Sequence, residues 1–138
     1  MAAPEDDRLV ALAGAPEVKD RLAEAGTAVY IVRADGHIVW ASPSMEPVMQ
    51  RRPQDLVGRN GWDVFVPPED LPQVAEFRAQ LSDEDGAIWM RIVMPGGGRD
   101  WFCVDILMWA GGIVCAFRRE DDPALRYPHL AMRPRTEA

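Results

Sequence analysis

The sequence predicts an α+β fold: a five-stranded antiparallel sheet with short helices on one face and an N-terminal helical cap. Three observations predict it. Ala87 to Met94, Asp100 to Trp109 and Ile113 to Arg118 are apolar runs separated by Pro95-Gly96-Gly97-Gly98 and Ala110-Gly111-Gly112, the pattern of strands linked by hairpins. Two shorter runs, Thr27 to Arg33 and His37 to Ala41, flank Ala34-Asp35-Gly36, whose glycine suits a second tight turn. Between these sets, prolines and glycines cut residues 42–81 into helical pieces of limited length.

In chain order, residues 5–25 read as two helical pieces broken at Gly14-Ala15-Pro16 and stopped by Gly26. Leu9, Leu12 and Ala13 form one apolar stripe and Val18, Leu22 and Ala25 another. Such stripes must be buried, against this chain or a partner. After the first hairpin, Ser42 is expected to cap a short helix with Pro43 at its first position, and Pro47 keeps it short. Pro53 to Val57 reads as a single turn stopped by Gly58, and Trp62 to Val66 as another short piece before Pro67-Pro68. Asp70 with Gln73 matches a capping box. Leu71, Val74, Phe77 and Leu81 then recur at helical spacing. Beyond Arg119 the prolines at 123, 128 and 134 predict a mostly irregular tail.

Alternation along the fourth strand places Phe102, Val104, Ile106 and Met108 inward, and Trp101, Cys103, Asp105, Leu107 and Trp109 outward. The outward row is too apolar for a plain solvent face and calls for a cover. Matching faces in the preceding hairpin pairs Val93 with Trp101, Met90 with Val104 and Ile92 with Phe102. That register sets Arg91 diagonal to Asp105, an exposed pair worth roughly 0–1 kcal/mol. Cys115 falls opposite Leu107 or thereabouts, leaving Cys103 roughly 13 Å along the ladder. A disulfide is therefore not expected.

The chain has 138 residues, an apolar share of 48% and five tryptophans, enough for one domain with a core and no metal or disulfide. A net charge of −7, with one lysine and scattered arginines, argues against nucleic-acid binding. The longest uncharged run, Ile106 to Phe117, is shorter than the about 20 residues that span a bilayer, and it contains a turn. Pro4-Glu5-Asp6-Asp7 is acidic where a signal peptide needs basic residues, so a cytoplasmic protein is expected. No Gly-x-Ser-x-Gly elbow occurs, Gly96-Gly97-Gly98 lacks the Lys of a phosphate loop, and Glu69-Asp70 suits a helix start. No enzyme is expected. Two histidines and two cysteines without ligand spacing argue against a metal site.

Six motifs in this order, the stretches on the third and fourth strands counting as one, resemble the PAS family of sensory modules. Asp35-Gly36-His37-Ile38-Val39-Trp40 looks like its first hairpin, and Ser42-Pro43-Ser44-Met45-Glu46 like the start of its next helix. Asp55-Leu56-Val57-Gly58-Arg59 is similar to its short Gly-terminated helix, and Pro68-Glu69-Asp70 to the opening of its long helix. Trp89-Met90-Arg91 and Asp100-Trp101-Phe102 resemble its third and fourth strands, and Arg118-Arg119-Glu120-Asp121 its signalling junction. Three positions depart. Gln50 stands where the family often has Gly, Gly96-Gly97-Gly98 replaces an Asp-Gly turn, and Asp121-Asp122-Pro123 replaces an Asp-Ile-Thr ending. The resemblance divides the chain into a cap (1–26), a PAS-like domain (27–121) and a tail or linker (122–138).

The resemblance implies a pocket between sheet and helices. Its candidate lining is Trp40, Met49, Phe65, Phe77, Met90, Ile92, Phe102, Val104 and Met108, with Trp62 near the mouth, though the same side chains could simply fill a core. Haem is not expected, because His37 lies in a turn and His129 in the tail, neither on the long helix. A covalent flavin adduct is not expected, because residues 58–63 lack the family's photoactive Cys. Flavin held without a covalent bond stays open. The implied role is a regulatory module of bacterial signal transduction acting through protein contacts as a homodimer. The candidate interface is Leu9, Leu12, Val18, Leu22, Trp89, Trp101, Leu107 and Trp109. The alternative is a receptor for an apolar or aromatic small molecule. Without an output domain in the sequence, the downstream partner would be a separate signalling protein or an adjoining domain.

Overall fold

The computed structural model describes residues 4–81, 86–109, 111–119 and 132–134. The elements run α1 (Pro4–Val10), a 3-10 turn (Ala11–Gly14), α2 (Pro16–Ala23), β1 (Thr27–Arg33), β2 (Ile38–Ala41), α3 (Met45–Met49), α4 (Pro53–Leu56) and α5 (Gly61–Phe65). A 3-10 turn (Pro68–Asp70) then leads into α6 (Leu71–Leu81), followed by β3 (Gly86–Val93), β4 (Arg99–Trp109), β5 (Gly112–Arg119) and β6 (Met132–Pro134). The expected five strands form an antiparallel sheet in the order β2-β1-β5-β4-β3. The tail was expected to be irregular, but Met132–Pro134 adds a short sixth strand to the edge of β3, pairing Met90 with Met132. The residues of the expected junction from Glu120 on lie outside the described residues. Among the described residues no helix is long and apolar enough to cross a membrane.

The sheet buries both faces. The inward row of β4 packs with β1, β3, β5 and the short helices into the larger core, where Phe65, Phe102 and Phe117 are fully buried. Leu107, Val29, Ile31, Val114 and Ala116 face the other way and meet Leu9 and Val18 of the cap. Over β1, β5 and the end of β4 the cover required by the apolar outer face is therefore supplied by the same chain. Arg21–Asp105 at 3.4 Å and Arg118–Glu24 at 3.0 Å add ion pairs along that contact.

Several local expectations need correction. The β3–β4 hairpin is tighter than expected: Met94 N–H donates to the Gly98 carbonyl at 2.7 Å, with Gly96 and Gly97 at φ 91° and 94°. The pairs are consequently Val93–Arg99, Met90–Phe102 and Arg91–Trp101, a slip of two residues, which leaves the alternation of faces unchanged. Arg91 pairs not with Asp105 but with Asp70, through Nη2 to Oδ1 at 2.7 Å and Nε to Oδ2 at 3.2 Å. The Asp70 carboxylate, expected as a helix cap, thus ties the start of α6 to β3. Cys115 lies opposite Ile106 and Cys103 opposite Arg118, and both are buried and not joined by a disulfide.

Ser42 does not cap α3. Its Oγ accepts the Val29 N–H at 3.0 Å and lies 2.7 Å from Ser44 Oγ, while its N–H donates to the Val29 carbonyl at 2.8 Å. The serine extends the β1–β2 ladder by one side-chain bond, and α3 begins only at Met45. Its C-terminus is closed by Gln50 in the left-handed conformation, φ 59° and ψ 35°, a role usually given to glycine.

Candidate functional site

The site lies between the inner sheet face and helices α5 and α6. The β1–β2 turn and the loop before α5 build its entrance. Ile38 N–H donates to the Arg59 carbonyl at 2.9 Å, and Gly61 N–H to the Gly36 carbonyl at 2.8 Å, so the loop pairs along the free edge of β2. Asn60 caps α5 by accepting the Trp62 N–H at 2.9 Å, and its amide donates to the Asp35 carbonyl at 3.2 Å. Both glycines here are required by close approach. A Cβ on Gly36 would collide with the Trp62 indole, and one on Gly61 would come within 2.8 Å of the Tyr30 hydroxyl.

Behind Trp62, three rings pack together. Tyr30 meets Phe117 edge to face at 4.9 Å, and Phe65 lies 5.7 Å from each, within the favoured range for aromatic pairs. The cavity beside them is about 30 Å3 and lined almost wholly by apolar side chains. A small-molecule site usually measures about 300–1,000 Å3, whereas this space is no larger than one or two waters. Trp62 and Val74 line both this cavity and a surface groove that also carries Asp35 and Leu71. The two side chains form the partition between interior and solvent.

Of the expected lining residues, Trp62, Phe65, Met90, Ile92 and Val104 do line the cavity. Met49 and Phe102 are buried in the same core without lining it, and Met108 packs half-buried against it. The side chain of Phe77 lies outside the described residues. Trp40 is a correction: it belongs to the outer cluster with Val39 and Leu22. β2 carries an irregularity, because Ile31 pairs with Trp40 but Val32 with Ile38. The extra residue, Val39, breaks the alternation, so Trp40 faces away from Ile38. Tyr30 and Phe117 were missed, although each is the one aromatic in the inward row of its strand.

Of the expected interface residues, Leu9 (2% exposed), Val18 (0%) and Leu107 (7%) are buried within this chain. Leu12, Leu22 and Trp109 pack half-buried at the edge of that cluster, and Trp101 is half-buried. The Trp89 side chain lies outside the described residues. Among the described residues no group of His, Cys, Asp and Glu could hold a metal ion.

A family model described as the PAS fold matches residues 17–119, more than half of the chain. No curated protein sequence matches. Several solved structures are similar. A light-oxygen-voltage domain studied with a flavin analogue superposes with a TM-score of 0.68 at 20% identity, covering 84% of this chain and 93% of that one. The PAS domain of the Cronobacter turicensis RpfR quorum-sensing receptor, in complex with BDSF, gives 0.60 at 15% identity over 71% and 97%. The PAS domain of a LuxR-family transcriptional regulator from Burkholderia thailandensis, in complex with ethanol, gives 0.60 at 16% over 73% and 95%.

Proposed function

Because this chain belongs to the PAS family of sensory domains in signalling proteins, we propose that it is a cytoplasmic regulatory module that transmits its state through protein contacts, as a homodimer. The observation that carries this reading is the outer sheet face. The cap covers it within the chain yet leaves Leu12, Leu22, Trp40 and Trp109 only half-buried at the margin. The Trp109 indole N–H is buried without a hydrogen-bond partner, a cost the fold would not keep without reason. A second copy meeting this margin would bury the remaining apolar surface, and a shift of the cap would reach a downstream signalling protein or adjoining domain. The reading assigns no catalytic residue.

Sedimentation velocity at high micromolar concentration tests it. A dimer is expected, with Leu12→Glu and Trp109→Glu each giving monomer at unchanged helix content. A wild-type monomer, or a dimer indifferent to both substitutions, overturns it.

A second reading follows from the apolar cavity: a receptor for a small apolar ligand. It draws support from related PAS domains described with BDSF, ethanol or a flavin analogue. With about 30 Å3 available, any ligand of metabolite size, flavin included, must enter by swinging Trp62 and expanding the core. Native mass spectrometry and an absorption spectrum of the purified protein discriminate. Extra mass or visible colour favours the receptor, and a bare chain mass with no thermal shift across a panel of fatty acids and flavins removes it.

A further inference from the structure

A second cleft lies outside the sheet–helix interior, where the end of α3, the α4 turn and the β3–β4 hairpin meet. Gln50, Arg51, Arg52, Asp55, Arg59 and Pro95 line this open space of about 480 Å3, none of them shared with the apolar cavity. Three arginines line it in a chain whose net charge is −7. Arg52 is neutralised: Asp55 receives its Nε at 2.8 Å and its Nη2 at 3.2 Å, with Glu46 nearby. Among the described residues Arg51 and Arg59 have no carboxylate partner.

Arg51 is held in place by contacts that leave its charge unmatched. Its Nη2 donates to the Val93 carbonyl at 3.3 Å, and its guanidinium sits 5.5 Å over the Phe65 ring. Its Nε is buried with no hydrogen-bond partner. Burial, and then the charge of Arg59, push the Arg51 guanidinium below its ordinary value. Two repelling cations, one of them part-buried, are unfavourable as they stand and become favourable around an anion. Gln50, which lines the same cleft, is the one non-glycine residue with positive φ among the described residues. Backbone strain of that kind persists where surrounding structure holds it, commonly at binding sites.

We propose that this cleft binds a small oxyanion, a phosphoryl or carboxylate group of a soluble metabolite, between Arg51 and Arg59, with the Gln50 amide as a neutral donor. The planar guanidinium fork suits both groups. Phe65 joins the two regions, because it lies under Arg51 and also lines the apolar cavity. The site does not depend on dimerisation or on the cavity being occupied.

Isothermal titration calorimetry with inorganic phosphate and with succinate, at constant ionic strength in chloride, tests the proposal. Saturable binding of one equivalent is expected in at least one arm, and the stronger arm identifies the oxyanion. Arg59 is exposed, so Arg59→Gln leaves the fold intact and is expected to weaken binding about tenfold. Arg51→Lys, which keeps the charge and loses the fork, is expected to weaken it as well. Absence of saturable binding in both arms overturns the proposal, as does Arg59→Gln binding as tightly as the wild type.

Discussion

The two faces of one sheet are closed in different ways. On the inner face the rings of Tyr30, Phe65 and Phe117 interlock, and the strands and short helices leave only about 30 Å3 unfilled. On the outer face a helical cap rests on five sheet residues, fastened by Leu9, Val18 and two ion pairs, with half-buried side chains around it. The inner face carries the stability of the domain. The outer face is covered by fewer buried side chains, so the cap is expected to open at a lower free energy than the sheet.

The sharpest way to break this contrast is to empty the centre of the inner face. Phe117 is 2% exposed and touches both other rings. Phe117→Ala is expected to cost about 3–5 kcal/mol in urea denaturation, with cap and sheet unfolding together. A loss below about 1 kcal/mol would mean that the inner face does not dominate.

Ser42 tests the backbone both faces share. Removing its hydroxyl leaves the Val29 N–H without its acceptor in a position that is fully buried. Ser42→Ala is expected to cost about 1–3 kcal/mol and to raise amide exchange across β1 and β2 first. If the serine were a helix cap, the loss would instead appear in α3.

Gly112 tests the cap against the sheet. A Cβ there would collide with the Leu9 side chain and come within 3.0 Å of the Val32 carbonyl. Gly112→Ala is expected to destabilise by about 1–2 kcal/mol, with the amides of α1 and α2 exchanging far sooner than those of β4. Uniform loss of protection in cap and sheet would show that the cap is not a separate unit.

How much of this was legible in the sequence follows the same division. Facing was legible wherever alternation ran unbroken, which is why the inward rows of β3 and β4 were placed correctly although their register was off by two residues. A two-residue slip preserves both faces, so only the hairpin bond from Met94 to Gly98 could decide it. Trp40 was misplaced because one extra residue in β2 reverses the parity. The cap was legible as two stripes in need of burial, but not as intramolecular, since periodicity does not name a partner. The arginine cleft was not legible, because Gln50, Arg59 and Pro95 are brought together only by the fold. Ser42 looked like a cap because Ser-Pro-Ser suits a helix start as well as a ladder extension.

The smallest expected effect concerns a residue that belongs to neither face. Gln50 holds φ 59° at the end of α3, which costs a side-chain-bearing residue about 1–2 kcal/mol relative to glycine. Glycine is also freer in the unfolded chain, which cancels part of that gain. Gln50→Gly is therefore expected to stabilise the domain by about 0.5–1 kcal/mol, without altering exchange in the cap, since Met45 and Met49 pack α3 into the inner core. The same substitution removes the amide from the arginine cleft and is expected to weaken phosphate or succinate binding. A gain in stability joined to a loss of binding would show strain kept for a ligand. A stabilised variant that binds as well as the wild type would leave the left-handed glutamine as a helix terminus and nothing more.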